Sequence, residues 1–144
     1  MDYAGAGKTT TISLLTGLFP PTSGDAIIYG SSIVNNPKRA RSSIGICPQL
    51  NVLFDRLTVF EHIRFFQQMK GVKASMSETK MAAEEVGLEE FFHTAAAALS
   101  GGNKRKLSVA IAFSGGPKCI ILDGASKFVM HTCFCFVNIS SSLV

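Results

Sequence analysis

Apolar positions along this chain fall into two kinds of run. Three short, nearly unbroken ones are strand-length: Asp25-Ala-Ile-Ile-Tyr29, stopped by Gly30; Ile44-Gly-Ile-Cys47, cut off by Pro48; and Cys119-Ile-Ile-Leu-Asp123, which carries an acid at its carboxyl end. Between them the apolar residues recur at helical spacing. Lys8 to Thr16 contains Ile12, Leu14 and Leu15, and Gly17 stands where a helix C-cap glycine would. Asn36-Pro37 places a proline at a first helical position. Thr58-x-x-Glu61 and Ser75-x-x-Glu78 match the capping box and open helices running to about Met69 and Val86. Ser100 caps a further helix through Leu107, Val109, Ile111 and Phe113, broken by Gly115-Gly-Pro117. Pro20 to Gly24 is a loop, and Ala95 to Ala98 a connector with little signal. Strands alternating with helices predict an α/β domain with a largely parallel sheet. The chain has no internal repeat; Ser114-Gly-Gly116 echoes Ser100-Gly-Gly102, but no helix follows it.

Composition narrows the class. The chain has 144 residues, 47% hydrophobic and 17% charged, enough for one small core and too apolar for a disordered segment. No apolar run approaches the roughly 20 residues that span a bilayer. The longest, Phe128 to Ile139, is short and interrupted by His131, Thr132 and Asn138. The first residues lack the basic and apolar regions of a signal peptide. A net charge of +4 suits an anionic ligand, but no basic stripe with interleaved aromatics argues for nucleic acid, and none is expected as a partner. Lys104-Arg105-Lys106 reads as a solvated helix face. Of four scattered cysteines, Cys47 and Cys119 lie in strand-like runs, where a thiol packs as a small hydrophobe; this implies a reducing compartment.

Four elements then carry chemistry. Gly5-Ala-Gly7-Lys8-Thr9-Thr10 supplies the end of the pattern G-x-x-x-x-G-K-[ST] ahead of a helix, where successive backbone N–H groups curl around phosphates. Lys8 would bring a cation to the phosphates and the Thr9 hydroxyl would hold Mg²⁺. The match is incomplete, since Asp2 stands where the first glycine belongs. Gln49, just after a strand in Cys47-Pro48-Gln49, can reach a metal and an attacking water; alone it is an ordinary exposed glutamine. Ser100-Gly101-Gly102 bares the first N–H groups of a helix, a second anion site. Asp123 stands at a strand end, where a Mg²⁺ partner is expected. Each is weak singly; their order and spacing are specific.

The ordered set G-A-G-K-T-T, C-P-Q, L-S-G-G and I-I-L-D resembles the nucleotide-binding domain of ATP-binding cassette transporters. The wording between motifs, Thr16 to Gly24, Gly45 to Asp55, Leu57-Thr-Val59 with Glu61-His62, and Arg105 to Ala110, is similar to subfamily A, whose members largely move lipids. The resemblance implies an incomplete P-loop NTPase core of RecA-like type, a parallel sheet with an inserted helical subdomain at about residues 51 to 114. It implies ATP and Mg²⁺ as ligands, with Gly5, Ala6, Gly7, Lys8, Thr9 and Thr10 holding the nucleotide. Gln49 is then the Q-loop residue and Asp123 the Walker B acid, so that Thr9, Gln49 and Asp123 hold the metal. Ser100, Gly101 and Gly102 are the signature that meets the γ-phosphate of ATP on a second, head-to-tail nucleotide-binding domain. Leu53 and Phe54 lie where the family docks a transmembrane coupling helix. The resemblance also implies a place on the cytosolic face of a membrane, through a parent transporter.

The chain departs from the family after Asp123. Gly124 replaces the glutamate that polarises water, and nothing further resembles the family's D-loop or switch histidine; His131 is too close to Asp123 for that role. No intact catalytic residue is therefore expected, and turnover should be negligible. The reading divides the chain into a partial nucleotide-binding domain over residues 1 to 124 and an apolar tail over 125 to 144, and takes it as a fragment with unrelated ends, such as a truncated or mis-joined gene product. The alternative function is a non-hydrolysing nucleotide-binding fragment, or a product with no independent activity. His131, Cys133 and Cys135 are too few and too close for a zinc knuckle.

Overall fold

The computed structural model describes residues 8–123. Its first element, α1 (Lys8–Leu15), ends as the glycine signal predicts. Gly17 takes a φ of 72°, and the N–H groups of Gly17 and Leu18 donate to the carbonyls of Leu14 and Ser13 at 3.0 and 2.9 Å. This is the paired C-terminal closure that a left-handed glycine permits. A small hairpin follows, β1 (Ile27–Ile28) antiparallel to β2 (Ser31–Ser32), then α2 (Pro37–Ser42) with proline in its first turn. Here the strand expected over Asp25–Tyr29 is shorter than its apolar run. Tyr29 and Gly30 both have positive φ, 45° and 75°, and form the two-residue loop between Ile28 and Ser31. Such loops match the twist of the flanking strands, and this one pulls Tyr29 out of the ladder.

The parallel sheet is the pair β3 (Ile44–Cys47) and β4 (Cys119–Leu122), in register Ile44↔Cys119 to Cys47↔Leu122. Among the described residues the hairpin is a separate two-stranded sheet, so the expectation of a largely parallel sheet holds for β3 and β4 alone. Both strands are flanked by apolar side chains: Ile28, Ala40, Ile44 and Cys119 are buried together, with Leu15 of α1, Ile33 and Ile121 packed against them. Cys47 and Cys119 are both buried.

Between these strands lies a helical core. α3 (Val59–Met69), α4 (Met76–Glu84) and α5 (Gly101–Phe113) bury Val59, Ile63, Ala83, Leu88, Phe92, Ala96, Leu99, Leu107 and Ala110 as one cluster. Each large member contributes about 1.5–3 kcal/mol by leaving water. Both capping boxes form in full, with Thr58 and Ser75 accepting from the N–H groups of Glu61 and Glu78 and the two carboxylates reaching back to the cap N–H groups. The buried Thr79 hydroxyl donates to Gln67 Oε1 at 2.9 Å, fastening α4 to α3. The connector Ala95–Ala98 proves to be structural: Ala95 bridges Thr58, and Ala96 is fully buried in a short 3₁₀ turn. No helix among the described residues is long and apolar enough to cross a membrane.

Candidate functional site

The ladder between β3 and β4 fixes the center of the site. Its last bond runs from the Asp123 N–H to the Cys47 carbonyl at 2.9 Å. Because Cys47 pairs with Leu122 in parallel register, Pro48-Gln49 and Asp123 leave the sheet side by side, beyond the carboxyl ends of adjacent strands. Neighbouring strands are about 4.8 Å apart, and ligands of open α/β sheets bind in the crevice outside such strand ends. Gln49 is exposed and Asp123 half-buried. An amide oxygen and a carboxylate are hard donors, which suit Mg²⁺ rather than a softer metal.

One side chain holds this corner together. From α5, Arg105 Nη1 donates to the Pro48 carbonyl, to the Gln49 carbonyl at 3.3 Å and to Asn51 Oδ1 at 3.4 Å. Nη2 donates to the Asp123 carbonyl at 2.7 Å. Ser108, one turn further along α5, donates to the same Asn51 Oδ1 at 3.1 Å. The solvated face expected for Lys104-Arg105-Lys106 is thus corrected at its middle residue, which is turned inward onto three carbonyls. Lys106 is also engaged, donating to the Gly87 carbonyl at 3.2 Å. The buried Cys47 thiol feels both neighbours: burial raises its pKa, and the Arg105 charge pulls it partly back.

Ser100 caps α5, its hydroxyl accepting from the Asn103 N–H at 3.2 Å. Gly101 and Gly102 follow with no positive φ, and a Cβ at Gly101 would meet nothing within 4 Å. Among the described residues nothing in the packing asks for glycine there, although glycine inside a helix is weaker than alanine by about 1 kcal/mol. Lys8, Thr9 and Thr10 form the first turn of α1, while Gly5, Ala6 and Gly7 lie outside the described residues, as do Gly124 and His131.

After Gln49 the chain exposes apolar side chains. Leu50 is 80% exposed, Val52 66% and Phe54 50%, whereas Leu53 packs against the helical core. Buried His62 holds this segment in place: its Nε2 accepts from the Phe54 N–H and its Nδ1 donates to the Thr58 carbonyl, both at 2.9 Å. The two contacts require the neutral ring with its proton on Nδ1. A cavity of about 820 Å³ between α3, α4 and α5, lined in part by Gln67, Val86, Lys106 and Phe113, includes neither Gln49 nor Asp123 nor Ser100 to Gly102.

Fold and site together define an α/β module in which the Pro48-Gln49 turn and Asp123 leave two adjacent parallel strands at their carboxyl ends. The chain belongs to the ABC transporter family, whose family model matches residues 3–127, four residues beyond Asp123. It is 52% identical over 125 residues to ATP-binding cassette sub-family A member 2 of Homo sapiens, covering 85% of this chain and 5% of that protein. Identity is 51% to sub-family A member 7 of Rattus norvegicus, covering 85% and 6%, and 50% to a retinal-specific phospholipid-transporting ATPase of Mus musculus, covering 85% and 5%. The chain thus spans about one-twentieth of the length of these relatives. Among solved structures it is similar to an ATP-binding subunit of an ABC transporter, with TM-score 0.71 and 30% identity over 83% of this chain and 51% of that one. A bacterial Atm1-family ABC exporter with ATP bound gives TM-score 0.74 and 27% identity over 87% and 23%.

Proposed function

We propose that this chain is the Mg-ATP-binding part of a subfamily A nucleotide-binding domain, and that nucleotide bound here serves lipid movement by a larger membrane transporter. The observation that carries the reading is the β3–β4 register, which brings the Pro48-Gln49 turn and Asp123 out of the sheet at neighbouring strand ends. Gly5, Ala6, Gly7, Lys8, Thr9 and Thr10 would hold the phosphates, and Thr9, Gln49 and Asp123 the metal. Bound Mg²⁺ would supply positive charge to offset that of the phosphates. The position of α1 supports this: its last residue packs in the cluster that holds Ile44 and Cys119, the first residues of both strands.

The unforced glycines at 101 and 102 support a role for Ser100, Gly101 and Gly102 toward nucleotide on a second, head-to-tail domain. The exposed apolar residues around Leu53 and Phe54 support docking of a transmembrane coupling helix, and with it a place on the cytosolic face of a membrane. Residues 51 to 114 act in this reading as the helical subdomain of a partial domain over 1 to 124, and 125 to 144 as a tail outside it. A second reading, nucleotide binding without hydrolysis, is favoured by Gly124, since a missing general base removes about 10²–10⁴-fold in rate. Calorimetric titration of ATP against wild type and Lys8→Ala tests the first reading. Loss of a charge-assisted phosphate contact of about 1.5–3 kcal/mol should weaken binding by ten- to a hundredfold, and equal affinities would remove it. Phosphate release from the same two proteins should be equally low; clear excess in wild type would favour hydrolysis.

A further inference from the structure

Beyond Cys47 and Leu122 the ladder between β3 and β4 ends. Pro48 has no N–H to extend it, so the carbonyls of Pro48, Gln49 and Asp123 lie past its last bond. All three accept from one guanidinium, that of Arg105. A guanidinium is a rigid planar fork with donors on both arms. One arm takes the Pro48-Gln49 turn and the other takes Asp123, so the plane itself fixes the spacing between the two turns. The other end of the side chain is rooted in α5, five positions after Ser100 and about 7.5 Å along the helix axis. α5 in turn lies hard against β3, because Gly45 leaves room for the Ala112 carbonyl.

We propose that Arg105 is a positioning residue for the metal side of the nucleotide site: it sets the distance between Gln49 and Asp123 and ties both to the helix that carries Ser100-Gly101-Gly102. The inference rests on the nucleotide reading above. It assigns Arg105 no contact with nucleotide or metal. Its effect passes through two backbone turns, and a displacement of α5 by a partner at Ser100 is transmitted to both of them at once.

The experiment measures ATP affinity of the full chain in Mg²⁺ and in excess EDTA, for wild type, Arg105→Ala and Arg105→Lys. Removing a group that orients metal ligands typically weakens metal affinity by about 10–100-fold. Arg105→Ala should accordingly lose at least about tenfold of the Mg²⁺-dependent gain in ATP affinity, with EDTA affinity within about twofold of wild type. Arg105→Lys keeps the charge but not the fork, and should lose most of the same gain. A parallel loss in Mg²⁺ and EDTA would mark a merely structural role and overturn the proposal, as would full rescue by lysine. If Arg105→Ala fails to fold, the lysine variant decides alone, and a wild-type Mg²⁺ gain in it overturns the proposal. ATP binding that Lys8→Ala abolishes while both Arg105 variants keep the Mg²⁺ gain would sink this inference and leave the nucleotide reading standing. No ATP binding by wild type would sink both.

Discussion

At Gly45 an added methyl would sit 2.1 Å from the Ala112 carbonyl oxygen and 2.9 Å from Pro117 Cγ. The obstacle is backbone, which cannot swing aside as a long side chain can. Gly45→Ala should therefore push α5 off β3 and destabilise the chain by about 1–3 kcal/mol, as overpacking generally does. A lowered urea midpoint with unchanged slope would show it. Gly101→Ala should act oppositely, because it meets open space and exchanges the weaker helix former for the best one; a gain of up to about 1 kcal/mol is expected. One glycine serves internal packing and the other is left bare on the surface. In the sequence both are simply glycines inside elements, and the difference appears only when α5 is laid on β3. Arg105 is illegible for the same reason: a basic triplet on a helix says nothing about carbonyls more than fifty positions away.

The two capping boxes were legible because everything they need lies within four residues. Their carboxylates give them a pH dependence. Hydrogen bonds from the cap N–H and hydroxyl hold Glu61 and Glu78 below the usual glutamate value of 4.5. Near that pH the folded chain therefore binds fewer protons than the unfolded one. The contribution is complete above 4.5 and is lost as the pH falls through the lower folded values. Replacing both residues by glutamine should flatten the decline in melting temperature between about pH 5 and 3; an unchanged slope would show that the caps do not titrate with folding. The β1–β2 hairpin was not legible. Its loop uses Tyr29 where asparagine, aspartate or glycine usually signals positive φ. With two residues per strand, the alternation that marks a hairpin has no length in which to appear.

Over the whole molecule, burial is divided between the helical cluster and the smaller one at the strands. Hydrogen exchange should follow that division, with Ile63, Leu107 and Ala110 among the slowest amides and those of the short β1–β2 hairpin faster than the helical cluster. Uniform protection across both would contradict two unequal cores. The sequence made the order of motifs plain, because each is a short local pattern, and with them the family. What it left unread were contacts made across the inserted helices, since pairing of Ile44 with Cys119 is a fact of topology. That topology also orders events in time. Gln49 is synthesised early, but its neighbour at the corner, Asp123, follows only after the whole helical segment has been synthesised. A growing chain can build its helices as it emerges, yet the corner between Gln49 and Asp123 closes only when the second strand arrives, so the site proposed there is completed last.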